Sequence, residues 1–292
     1  MKGIIVKGVG GLYYVKAGNE VYECKARGRF RKDDIKPMVG DRVEIDINGK
    51  GEGFIKEILP RSNCMIRPAV ANVDQIIVVF SVTNPDPNLL YIDKLLLMCA
   101  VNNIEAVICI NKVDLDENDL CHYYGDIYAK AGYKVLFTST KNGKGIDELE
   151  NVMKDKTSAL AGPSGVGKSS LLNAIQPDLN LKTGDVSVKA NRGKHTTRHV
   201  ELLQLKSGGY VLDTPGFGAI DLDFLTRKDV VKNYPEFKAY EGKCRFADCL
   251  HILEPGCVVK EALKEGKIGS ERYNNYLRIQ EEVGMAEERR YD

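Results

Sequence analysis

Gly162-Pro163-Ser164-Gly165-Val166-Gly167-Lys168-Ser169 reads G-x-x-x-x-G-K-S, the glycine-rich loop that wraps phosphates. Apolar Ser158-Ala159-Leu160-Ala161 precedes it as a strand, and Lys168 to Ile175 follows it as a helix. The glycines let backbone N–H groups turn inward onto phosphate oxygens, and the helix adds the positive end of its dipole. Gly162, Pro163, Ser164, Gly165, Val166 and Gly167 then form the cradle. Lys168 bridges the β- and γ-phosphates, and the Ser169 hydroxyl ligates Mg²⁺. Ser170 belongs to the same nucleotide-binding set.

Working outward, Asn111-Lys112-Val113-Asp114 reads N-K-x-D. The Asp114 carboxylate can accept from guanine N1–H and the N2 amino group. Adenine lacks the amino group and presents a lone pair at N1, so such a site discriminates by about 10⁴-fold. Asn111 braces the loops, and the Lys112 stem covers the base. Thr138-Ser139-Thr140, after the next strand, is positioned to close over the base with backbone N–H groups, with Ser139 at its centre. On the other side of the loop, Asp213-Thr214-Pro215-Gly216 reads D-x-x-G. Asp213 holds a Mg²⁺-bound water, and the Gly216 N–H touches the γ-phosphate. In ordinary GTPases the phosphate loop comes first and N-K-x-D last. Here N-K-x-D leads, so the order is that of a circularly permuted GTPase domain.

Asn191-Arg192-Gly193-Lys194-His195-Thr196-Thr197-Arg198-His199 lies between the phosphate loop and D-x-x-G. It fits a switch segment in which Thr197, or alternatively Thr196, binds Mg²⁺ and the γ-phosphate. Phe217 stands where Ras-type enzymes carry a water-orienting Gln. Phe cannot orient water, so His195, close to the switch Thr, is the candidate catalytic group beside Lys168 and Thr197. Gly165 occupies the place of the Asn found in potassium-activated relatives, which argues against that route.

Residues 1 to 70 read as five short strands separated by turn residues: Ile4 to Val6, Leu12 to Val15, Val21 to Cys24, Arg42 to Ile47 and Phe54 to Ile58. They suggest a small β-barrel of the OB-fold type, and the basic loop Arg27-Gly28-Arg29-Phe30-Arg31-Lys32 suggests RNA contact. Residues 71 to 221 alternate strands and helices, the pattern of an α/β parallel sheet. Its motifs fall where strands end, as ligand sites do in open sheets. Residues 222 to 292 read as a mainly helical third domain with a charged helix over Glu271 to Glu282 and a polar, frayed tail from Ala286.

The chain has 43% hydrophobic residues and a net charge of +1, so a global attraction to nucleic acid is excluded and any RNA surface is local. The N-terminus lacks a signal-peptide pattern, and Leu95 to Ile110 is interrupted by Asn102, Asn103 and Glu105. Scattered cysteines suit reduced thiols. The expectation is a cytoplasmic protein, a monomer, with no membrane partner.

Cys244-x₄-Cys249-x-His251-x₅-Cys257 supplies three thiolates and one imidazole. Zinc favours four such ligands in a tetrahedron. A complete Cys₃His set leaves no open position, so one structural Zn²⁺ is expected.

Taken together, these residues resemble the ribosome small-subunit-dependent GTPases, the RsgA or YjeQ family. The resemblance extends to Val39-Gly40-Asp41-x-Val43, to Arg67-Pro68-Ala69-x-Ala71-Asn72-Val73-Asp74, to Arg192-Gly193-Lys194-His195-Thr196-Thr197 and to the Cys/His spacing. Arg198 stands where the family carries a third hydroxyl. The resemblance implies an OB barrel, a permuted GTPase and a zinc-binding helical domain. It also implies GTP hydrolysis to GDP stimulated by the small (30S) ribosomal subunit and its rRNA, in late subunit maturation. His195 matches the position proposed as catalytic there. Two rival readings are an OB-type RNA-binding switch whose hydrolysis is incidental, and a zinc-dependent RNA-processing enzyme; the closed ligand set argues against the second.

Overall fold

The computed structural model describes residues 1–26, 36–49, 51–66, 68–181, 200–213 and 220–290. The first five strands are β1 (Lys2–Val9), β2 (Leu12–Ala17), β3 (Glu20–Ala26), β4 (Arg42–Ile47) and β5 (Glu52–Ile58). Alternating residues such as Val15, Cys24, Val43, Ile45 and Ile55 are buried, because side chains on a strand alternate faces. β1 pairs with β2, β2 with β3, β3 in parallel with β5, and β5 with β4. β4 returns to β1, closing the barrel in OB order. The basic loop over Arg27 to Lys32 lies outside the described residues.

A short hairpin of two-residue strands, β6 (Cys64–Met65) with β7 (Val70–Ala71), joins the barrel to the next layer. Here the two N-terminal motifs meet. Buried Asp41 accepts from the Met38 N–H at 2.7 Å and from Arg61 Nε and Nη2 at 2.7 and 2.8 Å. The Asn72 amide donates to the Gly40 carbonyl at 2.9 Å and accepts from the Ser62 N–H at 2.9 Å. Gly40 has φ +88°, and a Cβ there would sit 2.0 Å from the Ala71 carbonyl oxygen. Only glycine permits that approach.

Beyond the hairpin come β8 (Gln75–Ser81), α1 (Leu89–Val101), β9 (Glu105–Asn111), α2 (Leu120–Lys130), β10 (Lys134–Phe137), α3 (Ile146–Met153), β11 (Thr157–Ala161), α4 (Lys168–Ile175), β12 (Glu201–Gln204) and β13 (Tyr210–Asp213). β8 is buried along its whole length, as a strand covered on both faces must be. The sheet order is β10-β9-β8-β11-β13-β12, parallel except for β12. β12 also pairs with β1, so barrel and sheet are continuous.

The C-terminal part holds α5 (Arg227–Lys232), a 3₁₀ turn over Pro235–Tyr240, α6 (Val258–Lys264) and α7 (Ser270–Glu288). Tyr234, Phe237, Tyr276, Ile279 and Val283 form its core together with Leu97 of α1. The expected frayed tail is instead helix as far as Glu288, with Ala286 buried. Packing along the apolar stripe of α7 outweighs the polarity of its end. Arg272 on α7 is buried between Glu236 and Asp93 of α1. No helix among the described residues is long and apolar enough to cross a membrane.

Candidate nucleotide and metal sites

The phosphate loop leaves β11 at Ala161 and enters α4 at Lys168. Gly167 begins α4 with φ +95°, and a Cβ there would lie 2.5 Å from the Asn111 amide nitrogen. The N-K-x-D and glycine-rich loops therefore touch at this glycine. Asn111, the last residue of β9, donates from its amide to the Val166 carbonyl at 2.8 Å. Its amide oxygen accepts from the Thr138 hydroxyl at 3.0 Å. One buried side chain thus ties three loops together.

Asp114 sits in a short 3₁₀ turn, Val113–Leu115, directly after β9. The Ser139 hydroxyl donates to Asp114 Oδ1 at 2.5 Å. This bond orients the carboxylate, and both of its oxygens keep a lone pair with which to accept further hydrogen bonds. The Ser139 N–H donates to the Lys144 carbonyl at 3.0 Å, so the contribution seen here comes from its side chain. A short Thr-Ser-Thr stretch gives no sign in sequence that the Ser139 hydroxyl points at Asp114. The Lys112 ammonium donates to the Asn84 carbonyl, in the loop between β8 and α1. Neither Asn84 nor that loop had been legible as part of the site.

Lys168 donates to the Gly162 and Pro163 carbonyls at 2.9 and 2.7 Å. Burial pushes its pKa below the ordinary lysine value. Its ammonium is held inside the glycine-rich loop by these two carbonyls. Ser169 and Ser170 are half-buried in the first turn of α4. Asp213 ends β13, beside β11 in the sheet, and so faces the same edge as the phosphate loop. His195, Thr196, Thr197, Gly216 and Phe217 lie outside the described residues.

The four Cys/His donors converge. His251 Nδ1 lies 3.3 Å from Cys257 Sγ and 3.6 Å from Cys244 Sγ, and the two sulfurs are 3.9 Å apart. With Cys249, all four donor atoms fall within 4.8 Å of one another. Burial lowers the His251 pKa, which favours the neutral imidazole that a metal needs, while burial raises the Cys249 and Cys257 thiols. The loop is fixed from outside. Tyr273 donates to the His251 carbonyl at 2.6 Å, and Phe237 packs edge-on against the imidazole at 5.2 Å. Such a set can hold one tetrahedral metal ion. A second grouping, Asp119, Cys121 and His122, opens α2, where the positive helix end opposes a cation.

A permuted phosphate-loop sheet, an OB barrel on its edge and a Cys₃His unit behind it define a circularly permuted GTPase. Comparison with known proteins agrees. Residues 58–223 match the RsgA GTPase family, and residues 2–55 match the RsgA N-terminal domain. The small ribosomal subunit biogenesis GTPase RsgA of Caldanaerobacter subterraneus is 49% identical over 292 residues, covering 100% of this chain and 98% of that protein. The protein of the same name from Alkaliphilus metalliredigens is 49% identical over 285 residues, 97% of each chain. YjeQ from Thermotoga maritima superposes with a TM-score of 0.86 at 40% identity, covering 97% of this chain and 98% of that one. YloQ, described as a circularly permuted GTPase, gives 0.82 at 37% identity, covering 97% and 94%. The chain belongs to the RsgA GTPase family, and it is a GTP-hydrolysing enzyme.

Proposed function

We propose that this protein hydrolyses GTP to GDP and phosphate on the small ribosomal subunit, during late maturation of that subunit, as a cytoplasmic monomer. The observation that carries the reading is the single constellation of Asp114, Ser139, Asn111 and Lys168, in a chain similar end to end to small ribosomal subunit biogenesis GTPases. Asp114 reads guanine. The phosphate-loop N–H groups and Lys168 neutralise the β- and γ-phosphates. Ser169 and Thr197 would ligate Mg²⁺ and Asp213 would hold it through a water, and the ion would supply charge stabilisation to the phosphate oxygens. His195 orients the attacking water, and Gly216 follows the γ-phosphate. The working units are residues 1–70, 71–221 and 222–292.

The metal at Cys244, Cys249, His251 and Cys257 is one structural Zn²⁺ in this reading. Zinc–ligand bonds place tetrahedral sulfurs about 3.8 Å apart and a sulfur and nitrogen about 3.6 Å apart. The observed 3.9, 3.6 and 3.3 Å support that fit.

With Phe217 in place of a glutamine, turnover without a partner is expected at about 10⁻⁴–10⁻² s⁻¹. Phosphate release with purified small or large subunits tests the reading. Small subunits should stimulate the rate, and His195→Ala should lose that stimulation while keeping GTP affinity. Equal response to both subunits, or none to either, would refute it.

A further inference from the structure

The barrel meets the GTPase sheet along a narrow seam. β1 pairs with β12 at one register position, Lys7 opposite Glu201. Lys7 Nζ lies 2.8 Å from Glu201 Oε2, with both side chains 36% exposed. β1 carries a register shift between Ile5 and Lys7 in its pairing with β2. A bulge of this kind bends a strand and re-aims its side chains. Here it falls at Lys7, which stays paired with β2 on one edge and engages β12 on the other.

The row continues in both directions. Lys7 is the cross-strand partner of Tyr14 on β2, and Glu201 is the partner of Asp213 on β13. Tyr14, Lys7, Glu201 and Asp213 therefore run side by side across four strands, from the barrel wall to the aspartate of D-x-x-G. Cross-strand neighbours are the units through which a sheet transmits packing. In chain order, β12 follows the switch sequence around Thr197, and β13 leads directly into D-x-x-G. The β12–β13 hairpin is bonded to both nucleotide-sensing sequences at its covalent ends and to the barrel at its free edge.

We propose that Lys7 and Glu201 are positioning residues that carry the nucleotide state of the GTPase sheet into the barrel. A change at Asp213 shifts the β12–β13 hairpin, and the Lys7–Glu201 pair obliges β1 to follow at its bulge. The inference deepens the functional reading above and rests on it for the use the barrel makes of the signal. Coupling within the chain requires only nucleotide binding.

Hydrogen–deuterium exchange on the full chain, with Mg²⁺ and either GDP or a non-hydrolysable GTP analogue, tests the coupling directly. Peptides covering residues 2–17 should exchange differently in the two states. Lys7→Ala should cut that difference by about two- to fivefold, the range set by a partly exposed ion pair. Its affinities for both nucleotides should stay at the wild-type level, and Lys7→Arg should keep the full difference. A merely structural role for Lys7 would raise exchange equally in both states. Identical β1 exchange with both nucleotides in the wild type, or a full difference in Lys7→Ala, would overturn the proposal. A barrel that responds to nucleotide in a protein that small subunits fail to stimulate would support the coupling while refuting the ribosomal reading.

Discussion

Replacing Arg272 by Met should loosen the C-terminal unit from the GTPase sheet, and the cost should depend on pH. Arg272 is 2% exposed. Its Nε and Nη2 donate to the Glu236 carboxylate at 2.6 and 3.0 Å. Its Nη1 lies 2.6 Å from Asp93 Oδ1, off the hydrogen-bonding direction, so that contact is ionic. The Asn275 amide donates to the other Asp93 oxygen at 2.8 Å. The Tyr234 ring lies 4.6 Å from the guanidinium carbon. Burial already pushes the Asp93 carboxyl up, and Arg272 pulls it back. Met keeps the bulk and removes the charge, leaving two buried carboxylates without a cation. Losing one partner of a buried pair costs about 3–5 kcal/mol. A second route gives the same size: holding one carboxyl protonated at pH 7, about three units above its ordinary pKa, costs about 4 kcal/mol.

The sign follows from linkage. In the variant, the folded-state pKa of an orphaned carboxyl lies above its unfolded value. Stability is then greatest at low pH and is lost as pH rises toward the raised pKa. At pH 5 the same protonation costs only about 1.4 kcal/mol. Urea unfolding at the two pH values measures the difference. Tyrosine absorbance is a suitable signal, because the chain has no tryptophan and Tyr128, Tyr133 and Tyr234 surround the guanidinium. A loss under about 1 kcal/mol, or the same loss at both pH values, would refute the reasoning.

Asp114→Asn should weaken GTP binding roughly ten- to hundredfold, the worth of hydrogen bonds to a charged group. It should also shift preference toward xanthosine nucleotides, because the amide can donate; unchanged preference in calorimetric titration counts against base reading. Elemental analysis should find one zinc per chain. Cys249→Ser or chelation should unfold the C-terminal unit and abolish subunit stimulation while GTP still binds, since small metal-bound units depend on their ion to fold. Normal stimulation in Cys249→Ser would show that this unit is not the output. Asp229→Ala breaks the capping box of α5, in which Thr226 and Asp229 bond each other's backbone N–H groups, and should cost about 1 kcal/mol. The Thr226 hydroxyl holds the Asp229 carboxyl below its usual range. The stability it adds is therefore complete above the unfolded carboxylate pKa, about 4, and fades as pH falls further. An unfolding difference between wild type and variant that is as large at pH 3 as at pH 6 would contradict this.

Much of the molecule was legible because its signals are local. A phosphate loop must be glycine-rich wherever it occurs, and its eight positions are contiguous. The chain order of Asp114, Lys168 and Asp213 gave the permutation without a coordinate. Short apolar runs separated by turn residues gave the barrel strands, and helices at Leu89–Val101, Ile146–Met153 and Lys168–Ile175 follow from runs that no glycine or proline interrupts. The Cys₃His spacing fits one short stretch of chain. What only the tertiary structure decided are contacts between residues far apart in sequence. Arg272 lies in a charged helix whose sequence does not mark it as buried, and its burial depends on Asp93, Glu236 and a ring of tyrosines delivered by other elements. Lys7 follows the run Ile4 to Val6 and nothing in the sequence singles it out; its partner is set by which edge of the sheet the barrel meets. Gly40 and Asn72 lie in separate motifs and turn out to be one junction. Backbone propensity and side-chain periodicity act over a few residues and are written in the sequence. The pairing of a buried charge is fixed only when the packed core brings its counter-charges within reach and removes the water that would otherwise have served.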